Sequence, residues 1–159
     1  MAKTPSSTRS IRETAMDYLS RREHATQELF HKLQAKDYDA DEISAALARL
    51  TEQGLLSDER FTEVFINQRI NRGSGPLKIR AELRQKGISD DMIGAFLDER
   101  DVRWQESALA VRIKKYGSER PSDLKETARQ NRFLQSRGFS SEQARYAMDY
   151  SDRNDSEYE

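Results

Sequence analysis

The densest group of side chains that could do chemistry is a run of cations near the middle of the chain. From Arg69 to Lys86 the sequence carries six cations and one acid, Glu82. The planar guanidinium of arginine forms paired hydrogen bonds with carboxylates and phosphates, and lysine presents a compact charge to the same groups. The run therefore predicts a surface for an anionic partner, carried by Arg69, Arg72, Lys78, Arg80, Arg84 and Lys86.

A second cationic group follows and could extend this surface. It consists of Arg112, Lys114 and Lys115, with Tyr116 directly after them. A tyrosine beside cations can stack on nucleic-acid bases. Tyr116 is also in helical register with Ile113, and packing inside the fold is the favoured interpretation of its ring.

The remaining titratable groups are better explained without catalysis or metal binding. Two acid pairs, Asp58-Glu59 and Asp90-Asp91, stand in predicted first helical turns, where the helix dipole stabilises carboxylates. His24 and His31 lack a good third metal ligand, and the chain has no cysteine. The Gly73–Gly75 stretch is not followed by the Gly-Lys-Ser/Thr of a phosphate loop. We expect no catalytic residue, no metal and no cofactor, and a protein that is not an enzyme.

These side chains must be positioned by helices, because apolar residues recur at helical spacing and no useful length alternates with a period of two. One segment is repeated: Leu33–Asp39 returns as Leu83–Ser89 and again as Leu134–Ser140. Each copy ends a helix with a cation, continues through a turn residue and an apolar residue, and then caps the next helix. We define this segment as the joint.

A joint repeated about every 50 residues predicts an array of similar helical units. The expected fold is all-α, a tandem array of three three-helix repeats forming an elongated, curved solenoid-like body. The predicted division is a flexible leader (1–10), repeats at 11–54, 57–99 and 102–150, and an acidic tail (151–159).

The composition favours thin helical layers over one large core. Hydrophobic and charged residues each make up 35% of the chain, against about 45–50% and about 25% in ordinary globular domains. No apolar run is long enough to span a membrane, no signal peptide is apparent, and the lack of cysteine suits a reducing compartment. We expect a cytoplasmic monomer with no membrane contact.

Three stretches carry a resemblance to a known family. The first is Tyr18–His24 (YLSRREH), followed by Glu28-Leu29 and Lys32-Leu33. The second is Gly54–Phe61 (GLLSDERF), leading into Arg69, and the third is Gly75–Ile79 (GPLKI), followed by Glu82-Leu83 and Lys86–Ile88. In this order and spacing they resemble the RecX family of bacterial regulatory proteins, which modulate the RecA recombinase, over about residues 11–150. The chain departs from the pattern mildly, with Asp37 where the other joints have glycine and Ala25 where a serine would cap a helix.

The resemblance implies a non-enzymatic protein of DNA repair, homologous recombination and the SOS response. Its partners would be RecA and the RecA filament on single-stranded DNA, with inhibition or modulation of strand exchange, ATP hydrolysis and co-protease activity. The nine cations named above would then contact acidic RecA side chains or DNA phosphates. A weak direct contact with DNA would accompany these partners. Two alternatives stay open: a direct DNA-binding protein with helix-turn-helix-like units, and a helical scaffold for proteins other than a recombinase.

Overall fold

The computed structural model describes residues 9–150, and this range contains nine α-helices and no strand. The helices are α1 (Ile11–Arg21), α2 (Thr26–Gln34), α3 (Ala40–Glu52), α4 (Asp58–Asn71), α5 (Pro76–Gln85), α6 (Asp90–Phe96), α7 (Arg103–Tyr116), α8 (Leu124–Ser136) and α9 (Ser141–Asp149). The all-α prediction is confirmed. The predicted acidic tail, and all but two residues of the predicted leader, lie outside the described residues.

All three joints pass through a left-handed residue. After α2, α5 and α8 the chain passes through a residue with left-handed φ: Asp37 (69°), Gly87 (82°) and Gly138 (99°). A buried apolar residue follows each: Tyr38, Ile88 and Phe139. The amides of Ile88 and Phe139 donate to carbonyls five residues back, at 3.1 Å in both cases, the pattern that ends a helix with a Schellman turn. The next helix is then capped by Asp39, Ser89 or Ser140, whose side chain accepts from the amide three residues ahead.

The chain forms two compact units. The first runs up to Phe65 and includes Leu83–Phe96, and the second comprises Ile66–Glu82 and the chain from Leu97 onward. In the first unit α1, α2 and α3 pack together around buried Leu29, Leu33 and Ile43. In the second unit α7, α8 and α9 pack on one another, and Trp104, Leu134 and Ala144 are among their buried residues. Residues of the predicted second repeat therefore occur in both units.

In the first unit, α2 is capped by a residue from another helix. Ala25, at its N-cap, is fully buried and offers no side-chain acceptor. The amide of Thr26 donates instead to Oδ1 of Asp58, in the first turn of α4, at 2.7 Å. An N-cap acceptor contributes about 1 kcal/mol. The missing serine at position 25 is therefore offset by a carboxylate that lies 32 positions after Thr26.

Glu28, also in α2, is the hub of an ion-pair network in the first unit. Its side chain is only 7% exposed, and its carboxylate accepts from Arg22 at 2.9 and 3.1 Å and from Lys86 at 2.6 Å. Burial alone would raise the pKa of Glu28, but the hydrogen bonds and charges of Arg22 and Lys86 lower it to about 2. The ionised carboxylate therefore ties the end of α5 to α2.

We expect acid to weaken this unit through Glu28. Because the pKa of Glu28 in the folded chain lies below its ordinary value of 4.5, its contribution to the free energy of unfolding is full above about pH 4.5. The contribution is lost as the pH falls toward about 2. Urea unfolding of Glu28→Gln should show a loss of roughly 1.5–3 kcal/mol at pH 7, because a neutral amide replaces the enclosed carboxylate that accepts charged hydrogen bonds from Arg22 and Lys86. The variant should also lose less stability than the parent between pH 4.5 and pH 3.

Glu63→Gln, at an exposed position of α4, is the matched control and should keep the parent's pH profile. A Glu28→Gln variant whose stability falls with acid as steeply as the parent's would contradict the assignment.

The third joint is a close backbone contact within the second unit. The amides of Gly75 and Leu77 donate to the carbonyls of Arg137 (2.7 Å) and Gly138 (2.9 Å). A Cβ on Gly138 would lie 2.4 Å from Cβ and 2.7 Å from N of Lys78. Only glycine therefore suits this joint, for reasons of both φ and space.

Gly138→Ala should be far more destabilising than Gly54→Ala. Both positions have positive φ, so both variants carry left-handed strain of about 1–2 kcal/mol. A Cβ on Gly54 would meet nothing within 4 Å, whereas one on Gly138 collides with backbone. We expect Gly138→Ala to lose at least about 2 kcal/mol more of unfolding free energy in urea titrations. Equal losses in the two variants would show that the close contact does not hold the joint.

Candidate anion-binding surface

Most of the cations between Arg69 and Lys86 have carboxylate partners. The four pairs are Arg69–Glu82 (2.8 Å), Arg80–Glu99, Arg84–Asp90 (2.7 Å) and Lys86–Glu28 (2.6 Å). Three of the four acids lie outside the run in sequence, so the run looks more positive in the sequence than it is in the fold. These four cations therefore do not form the free stripe that their spacing predicts.

The other two cations of the run are exposed. Arg72 follows the last residue of α4, and Lys78 lies in the first turn of α5. Within residues 9–150 neither side chain forms an ion pair. Both are thus available to an anionic partner.

Arg112 is a core residue. Its side chain is fully buried, Nη1 donates to the carbonyl of Glu119 at 2.8 Å, and a longer contact of 3.4 Å reaches Gln130. Burial lowers the pKa of Arg112. The expectation that Arg112 contributes to an exposed surface is therefore wrong. Its register shows why, since it stands four and eight residues after buried Ala108 and Trp104 and shares their helix face.

The lysines beside Arg112 lie on a cavity within the second unit. The cavity has a volume of about 480 Å³ and is lined by Arg72, Lys114, Lys115 and Arg137 together with apolar and hydroxyl side chains. Of the part of the chain that the structure describes, no aspartate or glutamate lines it. We refer to it as the cationic cavity. It unites one cation of the first predicted group with two of the second.

Helix ends place these four cations. Arg72 follows α4, Lys114 and Lys115 are in the last turn of α7, and Arg137 is the C-cap of α8. The C-terminal end of a helix carries a partial negative charge that favours cations. After Arg72 the chain turns at Gly73 (φ 86°), and the amide of Ser74 donates back to the carbonyl of Arg69 at 2.9 Å.

An aromatic pair fixes two of the cations. The ring of Phe133 meets Tyr116 edge-on with centroids 5.5 Å apart, as expected for a packed tyrosine. Nζ of Lys115 lies 4.0 Å from the Phe133 centroid, and the Arg137 guanidinium carbon lies 5.2 Å from it. Cation–π attraction at these distances favours both positions. Cations therefore already occupy positions over the Phe133 ring.

Sequence reasoning missed Arg137 as a member of this group. It was visible only as the cation of the third joint, where the helix dipole explains it. One sequence signal could have identified the group, because all four of its cations stand at the C-terminal end of a helix. Their meeting at one cavity depends on how α4, α7 and α8 pack, which the spacing does not show.

Two hydrogen bonds hold the ring of His24. Buried His24 donates from Nδ1 to the carbonyl of Arg22 at 3.0 Å, so its Nε2 can accept from Nζ of Lys32 at 3.0 Å. Burial, with the nearby cations, lowers the pKa of His24. Within residues 9–150, no three His, Asp or Glu side chains lie close enough together to hold a metal ion.

Among the same residues, none of the helices combines the length and the apolar character that a membrane span requires.

The chain matches three family models in order along its length. They describe the first three-helix domain of RecX (residues 12–50), the second (57–97) and the third (101–148).

Curated relatives match over most of their length. The protein called Regulatory protein RecX from Halorhodospira halophila is 39% identical, covering 98% of this chain and 96% of that protein. Those of Pseudomonas fluorescens Pf-5 and Pseudomonas syringae pv. tomato are 44% and 45% identical, each covering 82% of this chain and 84% of the relative.

Solved structures share the helical fold. A crystal structure of regulatory protein RecX superposes with a TM-score of 0.75 at 25% identity, covering 88% of this chain and 70% of that one. RecX from Lactobacillus salivarius gives a TM-score of 0.73 at 22% identity, covering 86% and 91%. At this low identity the second likeness concerns the fold alone.

The burial of Arg112 can be tested by substitution. Nε and Nη2 of Arg112 have no hydrogen-bond partner within residues 9–150, and an incompletely paired buried cation is often replaced by an apolar residue without loss. We expect Arg112→Met to keep the parent's free energy of unfolding within about 1 kcal/mol. Arg112→Ala should lose about 2–4 kcal/mol because it leaves a cavity. Equal destabilisation by the two variants in urea titrations would show that the guanidinium itself is required.

Proposed function

The chain belongs to the RecX family, and we propose that it regulates the RecA recombinase by binding RecA and its filament on single-stranded DNA. Bound there, it inhibits or modulates strand exchange, ATP hydrolysis and co-protease activity in DNA repair and recombination. The observation that carries this proposal is the ordered match of all three RecX domains over residues 12–148, together with relatives that are named regulatory proteins.

In this proposal the protein acts by occupancy and is not an enzyme. A bound regulator hinders access of homologous duplex and the subunit motions that ATP turnover requires. No catalytic group of its own is needed, and the setting is the bacterial cytoplasm with the protein as a monomer. The molecule thus needs a surface that recognises a charged partner.

The free cations are the proposed contact surface. Arg72, Lys78, Lys114 and Lys115 project from the second unit without carboxylate partners within residues 9–150. They suit acidic RecA side chains or DNA phosphates, and such contacts weaken as salt screens them.

The paired cations of the same run are assigned a different role. Arg69, Arg80, Arg84 and Lys86 shape the surface through their ion pairs. Reversing Arg80, for example, would place a second carboxylate beside Glu99 and disturb the fold as well as the charge. A charge-reversal experiment therefore separates the effect of charge from an effect on the fold only at cations that have no ion pair.

The double variant Arg72→Glu, Lys114→Glu tests the contact surface. We expect its affinity for single-stranded DNA coated with RecA and a slowly hydrolysed ATP analogue to fall at least about tenfold, a loss of about 1.4 kcal/mol. Fluorescence anisotropy of labelled DNA gives the affinity, and circular dichroism checks the fold. The control matched in charge is the double variant Lys125→Glu, Arg145→Glu, at two exposed cations of α8 and α9 that do not line the cavity.

Bare single-stranded DNA and bare duplex are the comparison ligands. Strong preference of the parent for RecA-coated DNA supports the regulator. Equal affinity for bare DNA would favour a direct DNA-binding protein and contradict the proposal. An equal loss in the two double variants would show a diffuse charge effect instead of a defined surface.

A further inference from the structure

We infer that the cationic cavity is a binding site for a small ligand that carries a polyphosphate group. The proposed function requires only that exposed cations meet a macromolecular partner. The cavity is also large enough to hold a small molecule, because it has a volume of about 480 Å³ and is formed by residues of one compact unit. Small-molecule sites in proteins commonly enclose about 300–1,000 Å³.

No acid among the described residues that line the cavity balances its cations. Four cations line it without an acid, whereas four cations of the Arg69–Lys86 run each have a carboxylate. The ends of α4, α7 and α8 contribute about −0.5 charge each, which offsets less than half of four positive charges. The cations are also held together, since Phe133 fixes Lys115 and Arg137. Like charges held at one cavity favour an anion between them.

The number of cations selects the class of anion. A single carboxylate brings one negative charge, whereas each phosphate monoester brings about −1.5 to −2 at neutral pH. A di- or triphosphate therefore delivers several charges within the space of this cavity. Lysine and arginine both bind phosphate oxygens, and the hydroxyls of Ser74 and Ser107 line the same cavity as further donors.

The aromatic wall argues against a stacked nucleic-acid base. Base recognition by single-strand binding proteins needs an open aromatic face. Lys115 and Arg137 lie over the Phe133 ring, and Tyr116 meets it edge-on. The wall therefore positions cations for a charged group and presents no stacking platform.

Occupancy of the cavity has a regulatory consequence, which rests on the proposed function. Arg72 and Lys114 both line the cavity and belong to the proposed contact surface. A polyphosphate bound between them neutralises the charge that the filament would meet. The ligand and the filament should therefore compete.

Isothermal titration of the full chain with sodium tripolyphosphate, without RecA or DNA, tests the site. We expect saturable binding of one equivalent, weakened at least about tenfold by Lys114→Ala and by Arg72→Ala. Both side chains are exposed, so the variants should fold. Lys125→Ala is the matched control and should bind like the parent. Citrate, a compact tricarboxylate, should bind at least about tenfold more weakly than tripolyphosphate.

Several results would overturn the inference. They are the absence of saturable binding, equal weakening by Lys114→Ala and Lys125→Ala, and citrate binding as tight as tripolyphosphate. Binding that appears only after removal of residues 151–159 would mean that this acidic segment excludes the ligand from the full chain, and would overturn it too. Because RecA is absent, failure here leaves the filament measurement untouched, so the two proposals can fail separately.

Discussion

The fold depends on a backbone constraint at the joints, where a helix ends in a left-handed residue. That conformation reverses the chain within two residues and directs a large apolar side chain into the core before the next helix begins. In both units a joint glycine also leaves no room for a side chain: a Cβ on Gly87 would overlap Gln27, and one on Gly138 would overlap Lys78. Each joint therefore sets the direction of the next helix, and the second and third joints also lie closely against another element. Ion pairs and caps then act on helices whose ends are already fixed.

Charge has two roles in this molecule, and burial separates them. Glu28, the most enclosed carboxylate of the ion pairs, joins α2 to the end of α5. The two cations that pair with Glu28 therefore stabilise the first unit. The cations of the cationic cavity instead stand at helix ends, where the dipole lowers the cost of placing them near one another. Those that lack an anion within the described chain are the ones left for recognition. A charged protein with a balanced total can thus still present a strongly positive site.

The candidate site could be predicted only in part. Exposure of Arg72, Lys78, Lys114 and Lys115 agrees with the sequence-based surface, because polar residues on a solvated helix face need no partner. Pairing of the other cations was not predictable, because an ion pair such as Lys86–Glu28 joins residues 58 positions apart. The burial of Arg112 was readable from its register with Trp104 and Ala108, but residue type alone argued for the surface.

The sequence by itself determined the helices, the three joints and their caps. Those features depend on neighbours within about five residues, where periodicity, left-handed residues and cap side chains act directly. Only the tertiary structure decided that Asp58 caps α2 in place of Ala25, that Glu28 neutralises Lys86, and that cations from three helix ends meet at one cavity. The physical reason is distance. Hydrogen bonds and charges act over a few ångströms in space, so their partners are set by packing and leave no trace in local spacing.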